Sequence, residues 1–309
     1  MPKLTVLIPT YNYARFLPDA LDSVLGQTFR DFELLVIDDA SSDNTRQVLE
    51  QYATRDPRVR FHIQNRNSGM VQNWNTGLQM ASGDYIKFLF ADDKLCSVSA
   101  LDQMVQAIEH SKTISLVMTG RRILDDASRE KHVVDAGMKG VEPGPAVIAR
   151  CLEITRNILG EPSASLFPTR LAQRGFNPRY RQLVDLEFWF HLLEQGDLFY
   201  IPDPLCGFRI HDAQQTAANR MQQVDAAEYR ELLETYFPKP YLREFIGDRF
   251  LFNNVYALRR SRGNAAPSEL ECKLRKQMNA PGFAWQWLRY KISRPIDNLR
   301  RSMRKRFGR

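Results

Sequence analysis

Apolar residues in the first ninety positions alternate between short continuous runs and helical spacing. Four runs rich in aliphatic and β-branched residues predict strands, at residues 4–9, 32–37, 59–64 and 85–89. Between them, apolar residues three and four positions apart predict helices, and the helix over residues 70–81 ends at Ser82-Gly83, a common helix stop. Strands that alternate with helices in this way predict an open α/β sheet that is parallel at its centre.

The second half of the chain has a less regular pattern. It predicts a strongly apolar helix at residues 183–193 and further strands at residues 114–118, 163–167, 198–201 and 206–210. Residues 119–150 are polar, carry Gly and Pro, and predict no element. From about residue 213 the spacing is helical, with breaks at Pro238, Pro240 and residues 263–267. The sheet is therefore expected to give way to a helical C-terminal region.

Two adjacent carboxylates, Asp92 and Asp93, follow the predicted strand over residues 85–89. In α/β sheets, ligands bind at the carboxyl ends of the strands. A pair of carboxylates at such an end suits a hard divalent cation and, through it, a diphosphate. Because Asp also favours turns, this stretch taken alone is equally compatible with a turn.

Composition is typical of a globular protein, with 43% hydrophobic and 26% charged residues among 309. This length suits one large domain, or one domain with an appendage. No apolar run approaches the ~20 residues that span a bilayer, and the first residues enter a strand directly, so we expect no signal peptide. The cysteines form no CxxC pair, which argues against a disulfide framework or a zinc site and suits a reducing cytoplasm: Cys96, Cys151, Cys206 and Cys272.

The net charge of +7 is concentrated at the C-terminal end. Residues 280–309 hold nine Lys or Arg residues and one Asp, whereas the rest of the chain holds 34 basic and 35 acidic residues. A basic body would suggest nucleic-acid binding. A basic tail on a neutral body indicates an attachment segment instead, and we expect no nucleic-acid partner.

The tail, residues 283–309, interleaves aromatic and aliphatic residues with basic ones. This composition suits the surface of an anionic membrane, where each basic residue contributes about 1 kcal/mol. Two other interpretations remain open for the tail. It is also compatible with a packed or solvated C-terminal helix, or with nucleic-acid affinity that arises from charge alone.

Five segments of the chain resemble, in order, the motifs of the family 2 glycosyltransferases. They are residues 6–29 (VLIPTYNYARFLPDALDSVLGQTF), 36–45 (VIDDASSDNT), 67–93 (ending in ADD), 183–193 (LVDLEFWFHLL) and 208–211 (FRIH). Two motifs depart from the family pattern. Val184-Asp185 stands where the family has Glu-Asp, and Ala91-Asp92-Asp93 replaces the Asp-x-Asp form.

The resemblance implies the GT-A fold, a Rossmann-like α/β architecture with a mixed, mainly parallel sheet flanked by helices. It covers about residues 3–215. We therefore expect a catalytic domain over residues 1–215 and a helical C-terminal region over residues 216–309 that ends in the basic tail. The implied activity is metal-dependent, inverting transfer of a sugar from a nucleotide-diphospho-sugar.

Such a reaction requires neutralisation of the leaving diphosphate, which Mn²⁺ or Mg²⁺ provides. The resemblance implies that Asp93 is the direct metal ligand and that Asp92 either lies behind it, without touching the metal, or contacts the ribose. His211 is the candidate for an added imidazole ligand, which Mn²⁺ tolerates. A hydrogen-bonded structural role is the alternative for His211.

The resemblance also assigns residues to the nucleotide, for which a UDP- or dTDP-sugar is expected. Tyr11 is positioned to stack on the base and Asp39 to accept from its imide N–H. Core packing is the alternative for Tyr11, and helix capping is the alternative for Asp39. The other donor-binding candidates are Pro9, Thr10, Arg66, Asn75 and Asp92.

Asp185 is the candidate general base. A carboxylate in a largely apolar helix has a raised pKa, which suits it to accept the proton of an acceptor hydroxyl. The alternative is a carboxylate that interacts with the helix dipole. A single base opposite the leaving group implies a one-step displacement with inversion.

The expected acceptor is a glycan or lipid-linked glycan of the cell surface, such as lipopolysaccharide core, O-antigen or exopolysaccharide. We expect a cytoplasmic protein, peripheral at the inner face of the cell membrane. A non-catalytic nucleotide-sugar-binding or membrane scaffold protein is the alternative outside enzymes. A nucleotidyltransferase is a weaker one, since PTYNYAR follows the first strand where that class needs a Gly-rich basic loop.

Overall fold

The computed structural model of the protein describes residues 1–211, 224–262 and 266–277 together with Gln286. The chain divides into two compact units. The first holds Met1–Ile148 and Asn157–Glu228, and the second holds Ala149–Arg156 and the described residues from Tyr229 onward. The expected domain boundary at residue 215 thus lies close to this division, and the domain assignment itself stays a prediction.

Ten strands of the first unit form one mixed sheet. They are β1 (Leu4–Thr10), β2 (Phe32–Asp38), β3 (Val59–Ile63), β4 (Tyr85–Phe88), β5 (Lys94–Leu95), β6 (Ile114–Leu124), β7 (Glu130–Val134), β8 (Gly140–Glu142), β9 (Ser165–Pro168) and β10 (Asp197–Arg209). The main order is β3-β2-β1-β4-β9-β6-β10-β5, with β7 beside β6 and β8 beside β10. The four predicted N-terminal strands form a parallel block, which confirms the expected α/β class.

Helices connect these strands, and further helices follow the last strand along the chain. They are α1 (Leu17–Leu25), α2 (Thr45–Arg55), α3 (Met70–Met80), α4 (Ala100–Ile108), α5 (Gly144–Ile154) and α6 (Val184–Leu193), followed by α7 (Val224–Tyr236), α8 (Asp248–Arg262) and α9 (Glu269–Gln277). A 3-10 turn, Pro162–Ala164, directly precedes β9. This turn becomes part of the candidate site described below.

The core of the first unit explains why its strands have continuous apolar runs. Every residue of β1 and of β2 is buried, as expected for parallel strands covered on both faces. Leu4, Val6 and Ile8 share one apolar cluster with α1, α2 and α4. On the other face Leu7 packs so closely against Gly77 of α3 that a side chain at Gly77 would overlap it.

The region from residue 119 to 150 contains elements that its sequence pattern does not indicate. The predicted strand over residues 114–118 continues as β6 to Leu124, because it pairs with the mostly exposed strand β7. The two short strands predicted at 198–201 and 206–210 are one strand, β10. Its pairing with β6 shifts register on both sides of Pro204, so the chain passes the proline without leaving the sheet.

The described part of the second unit is helical, as predicted. Its helices are joined by a 3-10 turn, Pro240–Phe245, at the expected proline break. Asn254 of α8 is fully buried and donates to the carbonyl oxygens of Leu152 (3.1 Å) and Phe250 (2.9 Å). In the part of the chain that the structure describes, no helix combines the length and apolarity needed to cross a bilayer. The tail, residues 283–309, lies outside the described residues apart from Gln286.

Candidate active site

The loops that follow β1 and β2 are held to each other by hydrogen bonds. The amide nitrogen of Asn12 donates to Ser41 Oγ at 2.7 Å, and Asn12 Oδ1 accepts from the amide nitrogen of Ser42 at 2.8 Å. Asn12 and Ala40 both have φ of 59°, a left-handed conformation that Asn adopts more easily than Ala. These contacts fix the backbone on either side of the candidate nucleotide-binding residues.

The nucleotide-binding candidates after β1 differ in exposure. Pro9 and Thr10 are buried at the end of the strand, whereas Tyr11 is 46% exposed, so its ring is not part of the core. Thr10 Oγ1 is buried and has no hydrogen-bond partner among the residues that are described. An exposed ring beside a hydroxyl without a hydrogen-bond partner is compatible with a ligand-binding surface. The assignment of Pro9, Thr10 and Tyr11 to nucleotide binding stays a prediction.

Asp39 has a structural function in this loop region. One of its carboxylate oxygens accepts from the backbone (2.7 Å) and hydroxyl (2.8 Å) of Ser68, and the other accepts from the Gly69 N–H at 2.9 Å. Asp39 therefore anchors the residues directly before α3. These contacts do not cap a helix, since they reach Ser68 and the N-cap residue Gly69 rather than N–H groups within α3. Contact with a nucleotide base is untested and stays a prediction.

The other two donor-binding candidates on this side are Arg66 and Asn75. Arg66 is exposed in the loop before α3. Asn75 of α3 uses its whole amide group on the Phe176 backbone, since Oδ1 accepts from the N–H at 2.7 Å and Nδ2 donates to the carbonyl oxygen at 2.9 Å. Asn75 thus connects α3 to the distant segment at Phe176. Because both polar atoms of its amide group are used there, the predicted contact with the donor would need an additional hydrogen bond from the same group.

Asp92 and Asp93 have different surroundings, and the more enclosed of the two is not the one expected from their predicted roles. Asp93 is fully buried, and its carboxylate accepts from the Arg209 N–H at 2.9 Å and from the Ser163 hydroxyl. Burial, reinforced by the charge of Asp92, raises the pKa of Asp93 well above its usual range. Asp92 is 6% exposed, and its Oδ2 lies 3.0 Å from His211 Nε2. Asp93, expected on the cation, is therefore the more enclosed of the two.

The Arg209 side chain connects the end of β10 to Asp92 and to α1. Its Nε donates to the Asp92 carbonyl oxygen at 2.7 Å, and its Nη2 bonds Asp19 of α1 at 3.0 Å. The guanidinium also lies over the Phe16 ring, 4.6 Å from the centroid. The same ring packs against His211, with centroids 4.9 Å apart. Arg209 therefore positions the chain that brings His211 to Asp92.

Asp92 and His211 together fit a divalent cation whose remaining ligands come from phosphate oxygens. They bring a carboxylate and an imidazole together at the end of the sheet, and both donor types are accepted by Mn²⁺. Within residues 1–211 and the other described segments, no three His, Cys, Asp or Glu side chains form a metal-binding group on their own. A cation here would thus depend on its bound substrate for further ligands.

Asp185 occupies the first turn of α6. Its Oδ1 accepts from the Leu186 N–H at 2.7 Å and its Oδ2 accepts from Asn157 Nδ2 at 3.0 Å. The side chain is partly buried, and desolvation raises the pKa of Asp185 to about 7. Glu187, two residues on, is instead paired with Arg174 through two contacts of 2.7 Å. The ion pair with Arg174 thus occupies Glu187, and Asp185 remains the candidate base of this helix turn.

Several residues of this region were not identified from the sequence. Ser163 bonds Asp93, and the buried Lys87 of β4 donates to the Phe88 carbonyl oxygen (2.6 Å) and to that of Ser163. Burial lowers the pKa of Lys87 to about 8. A lysine within the predicted strand over residues 85–89 was the available signal for this network.

Comparison with known proteins identifies the family of the chain. Residues 5–158 match the model of the glycosyl transferase family 2. The chain is 41% identical over 107 residues to the GalNAc(5)-diNAcBac-PP-undecaprenol beta-1,3-glucosyltransferase of Campylobacter jejuni, a match that covers 34% of each protein. It is 30% identical over 197 residues to EpsE of Bacillus subtilis, named as a glycosyltransferase, with 63% of this chain and 68% of EpsE covered. The chain thus spans only about a third of the Campylobacter protein.

Solved structures show the same fold. A crystal structure of S. aureus TarS (residues 1–349) matches with a TM-score of 0.62 at 18% identity, over 88% of this chain and 77% of TarS. The mannosyltransferase PcManGT from Pyrobaculum calidifontis, in complex with GDP-Man and Mn²⁺, matches with a TM-score of 0.55 at 18% identity, over 96% of this chain and 87% of PcManGT. The fold is the GT-A type that the sequence predicted, and the chain belongs to glycosyl transferase family 2.

Proposed function

We propose that the protein is a metal-dependent, inverting glycosyltransferase that moves a sugar from a nucleotide-diphospho-sugar to a cell-surface glycan. The observation that carries this proposal is Asp185, a partly buried carboxylate with a pKa of about 7 in the same compact unit as Asp92 and His211. A carboxylate of this pKa can be ionised at neutral pH and still accept a proton effectively.

Asp185 is the general base of the proposed reaction. It takes the proton of an acceptor hydroxyl while the hydroxyl oxygen forms a bond to the anomeric carbon of the donor sugar. The bond from that carbon to the diphosphate oxygen breaks, and the nucleoside diphosphate leaves on the opposite side. The configuration of the anomeric carbon is inverted because bond formation and bond cleavage occur on opposite faces. Asn157 fixes the orientation of the carboxylate through its 3.0 Å hydrogen bond.

Asp92 and His211 are the residues that would hold Mn²⁺ or Mg²⁺ in this proposal. When bound, the cation supplies positive charge to the leaving diphosphate. Asp93 supports the site instead by holding the Arg209 backbone and Ser163. This assignment exchanges the two roles expected from the sequence, because both oxygens of Asp93 face the protein interior whereas Asp92 faces the imidazole.

The donor is proposed to be a UDP- or dTDP-sugar that lies along the ends of β1, β2 and β4. Tyr11 would stack on its base, with Pro9, Thr10 and Asp39 at the same wall and Arg66 near the phosphates. TarS has been crystallised with UDP-GlcNAc and with UDP, and PcManGT with GDP-Man and Mn²⁺. These neighbours support a nucleotide-sugar donor for this chain.

The acceptor is proposed to be a growing surface glycan, such as lipopolysaccharide core, O-antigen or exopolysaccharide, at the inner face of the cell membrane. One relative is named for action on an undecaprenol-linked glycan, and another, TuaG of Bacillus subtilis, for teichuronic acid biosynthesis. Both names support a surface-glycan acceptor. A basic tail would hold the protein against the anionic lipids that carry such acceptors.

Replacement of the base tests the proposal against a non-catalytic binding protein. With Mn²⁺ and a nucleotide sugar, we expect Asp185→Asn to bind the donor as tightly as the wild type does. Its release of nucleoside diphosphate should fall on the order of a hundredfold, as expected for loss of a general base. Undiminished release in Asp185→Asn, together with retained donor binding, would show that Asp185 is not the base.

A further inference from the structure

A single loop, residues 157–163, contacts both carboxylate centres of the candidate active site. At its start, Asn157 donates to Asp185 at 3.0 Å, and at its end the Ser163 hydroxyl donates to Asp93. All of these residues belong to the first compact unit. The middle of this loop therefore lies between the acid that acts as base and the carboxylates near the diphosphate.

Internal hydrogen bonds fix the shape of this loop. Asn157 Oδ1 accepts from the N–H groups of Leu159 (2.9 Å) and Gly160 (3.1 Å). The Gly160 carbonyl oxygen accepts from Asn157 Nδ2 at 3.1 Å and from Trp189 Nε1 at 3.3 Å. Gly160 has φ of 117°, and a Cβ there would overlap the Arg121 guanidinium. The direction of Glu161, the next residue, is thus determined by the backbone.

Glu161 is the one acidic residue of this loop, and its two oxygens have different surroundings. Oε2 is buried and lies 2.5 Å from Nε of Arg121, a side chain that is itself only 10% exposed. The Glu161 side chain as a whole is 32% exposed. Oε1 accepts no hydrogen bond from the described residues, yet it does not belong to their buried polar atoms that lack a partner, so it is exposed to solvent. Oε2 is thus held by the charge of Arg121 in an ion pair without an aligned hydrogen bond, and Oε1 can accept a hydrogen bond from a ligand.

The negative charge of Glu161 acts on the carboxyl groups of both Asp185 and Asp93. Its repulsion contributes to the raised pKa of Asp185 and to that of Asp93, after the larger effect of burial in each case. Glu161 is thus electrostatically close to both sites, in agreement with its position in the loop. In the proposed reaction the sugar that is transferred must lie between the diphosphate and the base.

We propose that Glu161 is a sugar-binding residue whose free oxygen, Oε1, accepts a hydrogen bond from a hydroxyl of the transferred sugar. This inference rests on the proposed function. Arg121 holds the other oxygen and so orients the carboxylate. A hydrogen bond from a neutral hydroxyl to a charged acceptor stabilises a complex by about 1.5–3 kcal/mol, which corresponds to roughly a 10- to 100-fold change in affinity.

The test compares binding of a nucleotide sugar with binding of the nucleotide alone. UDP, dTDP and a panel of UDP- and dTDP-sugars that includes UDP-glucose, UDP-galactose and UDP-N-acetylglucosamine are titrated calorimetrically in Mn²⁺ into the wild type, Glu161→Ala and the isosteric Glu161→Gln. Glu50→Gln, an exposed carboxylate on α2, is the matched control. We expect the Glu161 variants to bind the preferred UDP-sugar at least tenfold more weakly and UDP with unchanged affinity.

Other outcomes would overturn the inference. Equal affinities of wild type and both variants for the UDP-sugar would exclude a sugar contact, and equal weakening of UDP and UDP-sugar would indicate a structural role. A change confined to the KM of an acceptor would assign Glu161 to the acceptor instead. Failure of the wild type to bind any UDP- or dTDP-sugar would contradict the proposed function itself, which separates the two failures.

Discussion

Asp92 and Asp93 are neighbours in sequence, yet the fold gives them different tasks. Asp93 is enclosed and accepts hydrogen bonds from Ser163 and the Arg209 backbone, while Asp92 reaches His211. The two residues lie in a turn, in which the Asp93 N–H donates to the Phe90 carbonyl oxygen at 3.1 Å, and their side chains reach different partners. The pair therefore combines a structural carboxylate with one that can serve a ligand.

Separate substitutions of Asp92 and Asp93 should distinguish the structural role of Asp93 from the ligand-binding role proposed for Asp92. Asp93→Ala leaves the buried Arg209 N–H without its acceptor, so we expect the free energy of unfolding in urea to fall by about 2–4 kcal/mol. Asp92→Ala is the matched control and should lose about 1 kcal/mol or less, while the effect of Mn²⁺ on donor binding disappears. Wild-type stability in Asp93→Ala would contradict this division of roles.

The raised pKa of Asp185 predicts the pH dependence of transfer. The base must be ionised, and burial holds its pKa at about 7, so kcat/KM should rise as pH increases from 6 to 8. Below about pH 7 the rate should fall roughly tenfold per pH unit. The measurement is kcat/KM against pH, with Asp185→Asn as a control that should lack this limb. If kcat/KM instead rises around pH 4 and is constant above it, the Asp185 carboxylate is not desolvated in the enzyme.

The sequence singled out Asp185 as a candidate because an acid in an apolar helix is a local pattern. It could not indicate the contacts of Asp93 with Ser163 and the Arg209 backbone, because these join residues 70 or more positions apart. The proposed role of Glu161 could not be predicted for a similar reason. It rests on Arg121 of β6 and on the loop around Glu161, and neither has a local signature.

At the scale of elements, continuous apolar runs predicted the parallel strands well, because β1 and β2 are buried on both faces. The same reasoning failed between residues 119 and 150. There β7 is mostly exposed, so its sequence is polar and resembles a loop. Cross-connections such as Asn75 to Phe176, which hold α3 to a distant segment, could not be predicted from periodicity either.

The connection through Asn75 gives a prediction about stability. Asn75→Ala removes two hydrogen bonds to the backbone of the buried Phe176, so the free energy of unfolding should fall by about 1–3 kcal/mol. The matched control is Gln72→Ala, at an exposed position of the same helix, which should change stability by no more than about 0.5 kcal/mol. Equal urea midpoints for the two variants would show that this connection does not support the fold.

At the scale of the whole molecule, composition and motif order predicted the fold class and the family. They did not predict the sugar, the acceptor or the linkage, because these depend on loops whose sequences carry no known pattern. The uneven charge is the global feature of the sequence on which the proposed membrane attachment rests. A neutral body with a +8 segment at residues 280–309 suggests attachment through the tail.

Deletion of residues 283–309 should move the protein from anionic liposomes to the soluble fraction. Each lost basic residue removes about 1 kcal/mol of attraction to the anionic surface. The measurement is co-sedimentation with phosphatidylserine-containing vesicles, with neutral vesicles as the control. Unchanged pelleting of the shortened chain would show that the tail does not bind the membrane.

The most direct test of the central claim is release of nucleoside diphosphate from a panel of UDP-, dTDP- and GDP-sugars, measured with Mn²⁺ and with EDTA for the wild type and Asp92→Ala. A metal-dependent glycosyltransferase should release nucleoside diphosphate slowly from at least one donor. This release should require Mn²⁺ and should be lost in Asp92→Ala. Equal rates with Mn²⁺ and EDTA, or equal rates in the wild type and Asp92→Ala, would contradict the account.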